Sequence, residues 1–164
     1  MATRAQVLIP VAIAAVIIGA VGVFTIPSDS KLAEVKFPKG TVKIDDVVLI
    51  VQVAETDAQK TRGLMFQNEL PYDQGMIFVF DQEQVIPIWM LNMQFPLDII
   101  WFDSNGNVVH IEKNIQPCKS AVETVTCTVK DADGKQAKYV LEVTSGFVDK
   151  YRISQNSKLQ IISI

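Results

Sequence analysis

The chain has 164 residues, 20% of them charged and 49% hydrophobic, a length that allows one domain with an appendage and a composition too apolar for a disordered chain. Lys and Arg number 15 against 18 Asp and Glu, a net charge of −3, so no surplus of positive charge is available to neutralise phosphates and no nucleic-acid partner is expected. One His and two Cys exclude zinc fingers, iron–sulfur clusters and other sites that need many such ligands, and no cofactor is expected.

Val7 to Ile26 run for 20 positions without a charged or strongly polar side chain. As a helix that run spans about 30 Å, the thickness of a bilayer's hydrocarbon core. Pro10 lies near its start, where a missing N–H costs little, and Pro27 and Ser28 stop it. Residues 1–27 therefore read as an N-terminal transmembrane anchor, with the lipid bilayer as the partner of residues 7–26. A cleaved signal peptide is the alternative, with Val7 to Gly19 as its apolar stretch and Ala20-Val21-Gly22 as a weak cleavage site. The flanking charges conflict with the rest of the reading. Arg4 precedes the run while Lys31, Lys36, Lys39 and Lys43 follow it, which by the positive-inside rule puts the remainder in the cytosol. Long segments translocate regardless of charge, however, and the cysteine pair favours an oxidising compartment. The expected location is the cell membrane, single-pass, with the domain on the extracytoplasmic side.

Residues 28–40 form a short spacer, and 41–164 read as a β-rich domain, since short β-branched runs alternate with turn signals. Residues 48–54 make a nearly continuous apolar strand. Thr56-Asp57-Ala58-Gln59 is a capping box and Gly63 sits where a helix ends, so 57–62 should form a short helix. Strands are expected at 76–80 and at 85–90, the latter an edge or bulged strand because of Pro87. Asp103-Ser104-Asn105-Gly106 joins strands at 99–102 and 108–112 as a hairpin. Asp133-Gly134 marks a second hairpin between strands near 122–130 and 136–143. A short helix at 146–151 takes Ser145 as its N-cap, and a last strand runs near 158–164. The expected fold is mainly β, barrel-like or sandwich-like with one or two short helices, behind one transmembrane helix.

Several landmarks occur in a recognisable order: Arg62-Gly63-Leu64-Met65, Gly75-Met76-Ile77-Phe78-Val79-Phe80, Trp89-Met90-Leu91-Asn92, Pro96-Leu97-Asp98-Ile99-Ile100, Pro117-Cys118 and Tyr139-Val140-Leu141-Glu142. Together they resemble the domain of unknown function 192 family, over about residues 41 to 164. The resemblance implies a small β-rich, barrel-like domain with a short helix, often behind a signal peptide or an anchor, and brings no established activity. Relatives commonly carry Lys-Asn-Thr after Trp-Met, where this chain has Leu91-Asn92-Met93, so a polar site there would be blunted. Asn92 and Asp98 are the matching polar positions that remain.

Cys118 and Cys127 are separated by eight residues. In an extracytoplasmic domain two cysteines form a structural disulfide more often than a reactive site, and this one would be worth about 2–3 kcal/mol by loop closure. Two free structural thiols, or a redox or metal role, are the alternatives. Trp89, Asn92 and Asp98 are candidates for a shallow pocket in which an amide and a carboxylate sit beside an indole. Against this, Trp89 could fill the core while Asn92 and Asp98 satisfy backbone groups at a bend before Pro96. His110 could move a proton only if it meets Asp98 or another carboxylate. No dedicated metal site is expected; Met90 and Met93 are weak candidates for a soft ion such as Cu(I). The reading is a membrane-anchored extracytoplasmic binding or accessory module, non-catalytic, contacting a ligand, a membrane complex or a cell-surface partner. Its competitors are a hydrolase-like enzyme using Asp98 with Asn92 or His110, and a Met-based Cu(I) binder.

Overall fold

A computed structural model describes residues 35–118, 127 and 129–164, and Val35–Ile164 form one compact unit. The apolar run, most of the spacer and most of the strand expected near 122–130 lie outside the described residues. Among the described residues no helix is long and apolar enough to cross a membrane.

Among the described residues, seven strands and two short helices make the domain mainly β: β1 Lys39–Ile44, β2 Val47–Ala54, α1 Asp57–Arg62, β3 Gln74–Gln84, β4 Leu97–Phe102, β5 Val108–Ile115, β6 Ala137–Thr144, α2 Phe147–Tyr151 and β7 Leu159–Ser163. All strands join one sheet in the order β5-β4-β6-β3-β2-β1-β7. The pairings are antiparallel except β2 with β3, which run parallel with α1 as the crossover between them. α1 forms as its sequence dictates. Thr56 Oγ1 accepts from the Gln59 N–H at 3.3 Å, Gln59 Oε1 accepts from the Thr56 N–H at 3.0 Å, and Gly63 ends the helix at φ 48°.

Strand alternation divides the apolar residues into two cores, one on each face of the central strands. On β4, Leu97, Ile99 and Trp101 enter one core while Ile100 and Phe102 enter the other, so all six of its residues are buried. The segment expected as a strand at 85–90 pairs only at Ile88, which bridges Lys130. Pro87 has no N–H to give a ladder, and the segment crosses a sheet face as irregular chain instead.

The ends of the sheet are pinned together at one point. Asn107 bridges Lys158, and the Leu159 N–H donates to the Gly106 carbonyl at 2.8 Å. Gly106 has φ +80°, and a Cβ there would collide with the Leu159 carbonyl oxygen. Gly106→Ala is therefore expected to cost about 3 kcal/mol through backbone strain and the forced displacement of β7. A lowered urea midpoint measures it; an unchanged midpoint would show that β7 moves aside freely.

Candidate functional site

β6 carries one carboxyl in an otherwise apolar strand. Glu142 points to the same face as Val140, between Met76 of β3 and Ile99 of β4, its register partners. It is only 4% exposed. Burial alone pushes its pKa up to about 8, so the group is uncharged at neutral pH.

Glu142 lines a cavity of about 430 Å³ between the sheet, α1 and the crossing segment 84–89. The walls are mostly apolar, with Leu64, Phe78, Phe80, Ile86, Trp89 and Met93 among them. Size and lining are those of a small-molecule site: an apolar container with few polar groups. Val85, Trp89 and Val129, all lining residues, are exposed to 43%, 48% and 55%. Lys60 and Arg62, from the last turn of α1, also border the cavity.

The irregular wall is held by bonds to its neighbours. The Trp101 indole N–H donates to the Ile86 carbonyl at 3.0 Å, and Ile88 and Lys130 exchange both backbone bonds at 2.7 and 2.8 Å. Cys118 donates to the Met90 carbonyl at 2.9 Å and accepts from the Asn92 N–H at 3.0 Å. Cys118 is in turn bonded to Cys127, as a disulfide with Cα atoms 5.8 Å apart. The disulfide thus ties Cys127 to Cys118, which is itself bonded to the backbone of Met90 and Asn92.

The structure separates the three residues that the sequence grouped as a pocket. Trp89 borders the cavity and is half-exposed, so it does not fill the core. Asn92 acts through its backbone: it turns the chain at φ 57°, a left-handed conformation Asn tolerates, and its carbonyl accepts from the Phe66 N–H at 3.0 Å. Asp98 is 1% exposed and holds the fold together. Its Oδ1 accepts from the Asn114 N–H at 2.9 Å, and its Oδ2 from Gly146 and Val148 at 3.0 and 2.9 Å. These last two bonds correct the expected capping of α2. Gly146 occupies the N-cap and has no side chain to cap with, so Asp98 reaches across from β4, while the Ser145 hydroxyl donates to Asn114 Oδ1 at 3.2 Å.

His110 and Asp98 do not meet. His110 pairs with Trp101, while Asp98 belongs to the alternate set of β4 residues that faces the other side of the sheet. The His110 ring instead lies 3.3 Å from Asp133 and 3.4 Å from Glu112, with its centroid 5.6 Å from that of Trp101. Met90 and Met93 are 1% and 3% exposed and pack in the apolar core. Among the described residues no three His, Cys, Asp or Glu side chains are grouped to hold a metal. Glu142 was legible only as a landmark in Tyr139-Val140-Leu141-Glu142; a lone carboxylate inside an apolar strand is the signal that marks it.

The comparisons agree with this architecture. A protein of Sinorhizobium meliloti 1021, provisionally described as a transcription regulator, has a solved structure that matches with a TM-score of 0.69 at 28% identity, over 79% of this chain and 98% of that one. A protein of unknown function from Novosphingobium aromaticivorans DSM 12444 matches with a TM-score of 0.66 at 28% identity, over 74% of this chain and 84% of that one. No curated protein matches the sequence. The family model of the domain of unknown function 192, described as an uncharacterized ACR, matches residues 40–161, most of the described unit, and the chain belongs to that family.

Proposed function

We propose that the protein is a membrane-tethered binding module that takes a small, largely apolar ligand into the cavity above Glu142. The observation that carries this reading is an open, mostly apolar cavity of about 430 Å³ with one buried carboxyl, that of Glu142, in its lining. Burial makes the charged form of this carboxyl costly, and a polar group on a ligand in the cavity is a natural partner for it. Exposed Trp89 and Val129 at the cavity supply further apolar contact. The curled sheet, pinned at Gly106, is read as an incompletely closed barrel.

The uncharged run Val7 to Ile26 supports an anchor, and the Cys118–Cys127 disulfide supports an extracytoplasmic location. Protease applied to intact cells should then digest the domain, whereas full protection would place it inside. The name of the Sinorhizobium protein is not carried over as a DNA-binding role, since this chain has a net charge of −3.

Octanol, added to the full chain in phosphatidylcholine nanodiscs, tests the cavity. A saturable change in Trp89 emission, absent from Trp89→Phe, is expected. Phe80→Ala, which removes part of the wall, should weaken binding about tenfold. An emission change that never saturates, or that ignores Phe80, would remove the proposal.

A further inference from the structure

The charges around the cavity are lopsided. The chain as a whole is negative, at −3, yet the charged side chains lining the cavity at neutral pH among the described residues are two cations, Lys60 and Arg62. Neither forms an ion pair with a described carboxylate. Instead the Lys60 ammonium lies 4.5 Å from the centre of the Phe80 ring, and the Arg62 guanidinium 4.9 Å from that of Phe66. A ring face fixes where a cation sits without cancelling its charge. The C-terminal end of α1 accounts for basic residues in its last turn, but not for both bordering an apolar cavity.

Resting on the binding reading above, we infer that the ligand is a single-chain amphiphilic anion, its apolar body against Leu64, Phe78, Ile86 and Met93 and its one carboxylate or phosphate group beside Lys60 and Arg62. A volume of about 430 Å³ suits one short chain and is too small for the paired chains of a bilayer lipid. An ammonium amphiphile would gain from the aromatic walls. It would, however, approach two like charges and find Glu142 protonated, with no negative charge to meet it. Glu142, in its neutral form, adds no negative charge to the lining, and its O–H remains a donor for an oxygen of the ligand.

The test compares octanoate, octanol and octyltrimethylammonium on the full chain in phosphatidylcholine nanodiscs, read by Trp89 emission with Trp89→Phe as the blank. Octanoate should bind about tenfold tighter than the other two, and the double variant Lys60→Gln, Arg62→Gln should reduce it to the level of octanol while leaving octanol unchanged. Raising the pH through 8 should weaken octanoate in the natural chain, where Glu142 adds a negative charge to the cavity lining, and not in Glu142→Gln. Equal binding of octanol and octanoate would overturn the anion and leave the cavity reading standing. No saturable change with any of the three would overturn both. Tightest binding of the ammonium compound would reverse the assigned charge, and loss of octanoate binding in nanodiscs containing phosphatidylglycerol would give the site to a bilayer lipid.

Discussion

Asp98→Ala is expected to lower the unfolding free energy by about 4 kcal/mol, because three buried or half-buried backbone N–H groups lose one charged acceptor together. The three donors belong to different parts of the fold: Asn114 near the end of β5, and Gly146 and Val148 at the start of α2. The loss therefore detaches α2 from the sheet and frees Phe147, which is fully buried in the core beneath it. Asp98→Asn keeps the shape but turns an amide N–H₂ toward at least one donor, and should cost about half as much. Ser145→Ala should change stability by less than about 1 kcal/mol, since Ser145 is not the cap. Urea unfolding followed by circular dichroism measures all three. If Asp98→Ala unfolds at the same midpoint as the natural chain, its hydrogen bonds are not what hold α2.

Glu142→Gln should act in the opposite direction and stabilise the domain at pH 7 by about 3 kcal/mol. The sign follows from where the proton resides. In the unfolded chain the carboxyl ionises around its ordinary value of 4.5, whereas in the folded domain burial holds the proton until about pH 8. Between those values the unfolded state gains from releasing a proton that the folded state retains. The natural chain is thus most stable, as far as this group is concerned, below pH 4.5; it loses stability as the pH rises and levels off above about 8. The variant should show none of this slope. Parallel pH profiles for the two proteins would mean that Glu142 finds a partner in solution. Stabilisation by Glu142→Gln would mark this carboxyl as placed for something other than folding, in keeping with the reading of the cavity rather than the Asp98 cluster as the site.

Much of the local structure was written in short-range chemistry. Thr56 and Gln59 specify α1 within four residues, and Asn105-Gly106 specifies the β4–β5 turn, so both could be read from the chain alone. Cys118 and Cys127 were readable as a pair because they lie close in sequence and the chain has no other cysteine. What could not be read depends on distant segments meeting. Nothing near Ser145 announces that a carboxylate 48 residues away from Gly146 will cap α2. The parallel pairing of β2 with β3 has no local marker either, because the alternation of apolar residues is the same whichever neighbour a strand finds. The spatial grouping of the candidate residues depends on distant contacts in the same way. Trp89, Asn92 and Asp98 are neighbours in sequence, but the chain bends at Asn92 and then enters β4, which sends Asp98 to the opposite core. The residues that do enclose the cavity come from α1, β3, β6 and the irregular wall.

The pairing of β7 with β1 has a bearing on how the protein is made. β1 is made long before its partner β7, so its outer edge stays open until β7 leaves the ribosome. A nascent chain halted before residue 159 would offer that edge to any neighbour, and the sheet could not be completed until β7 had been made.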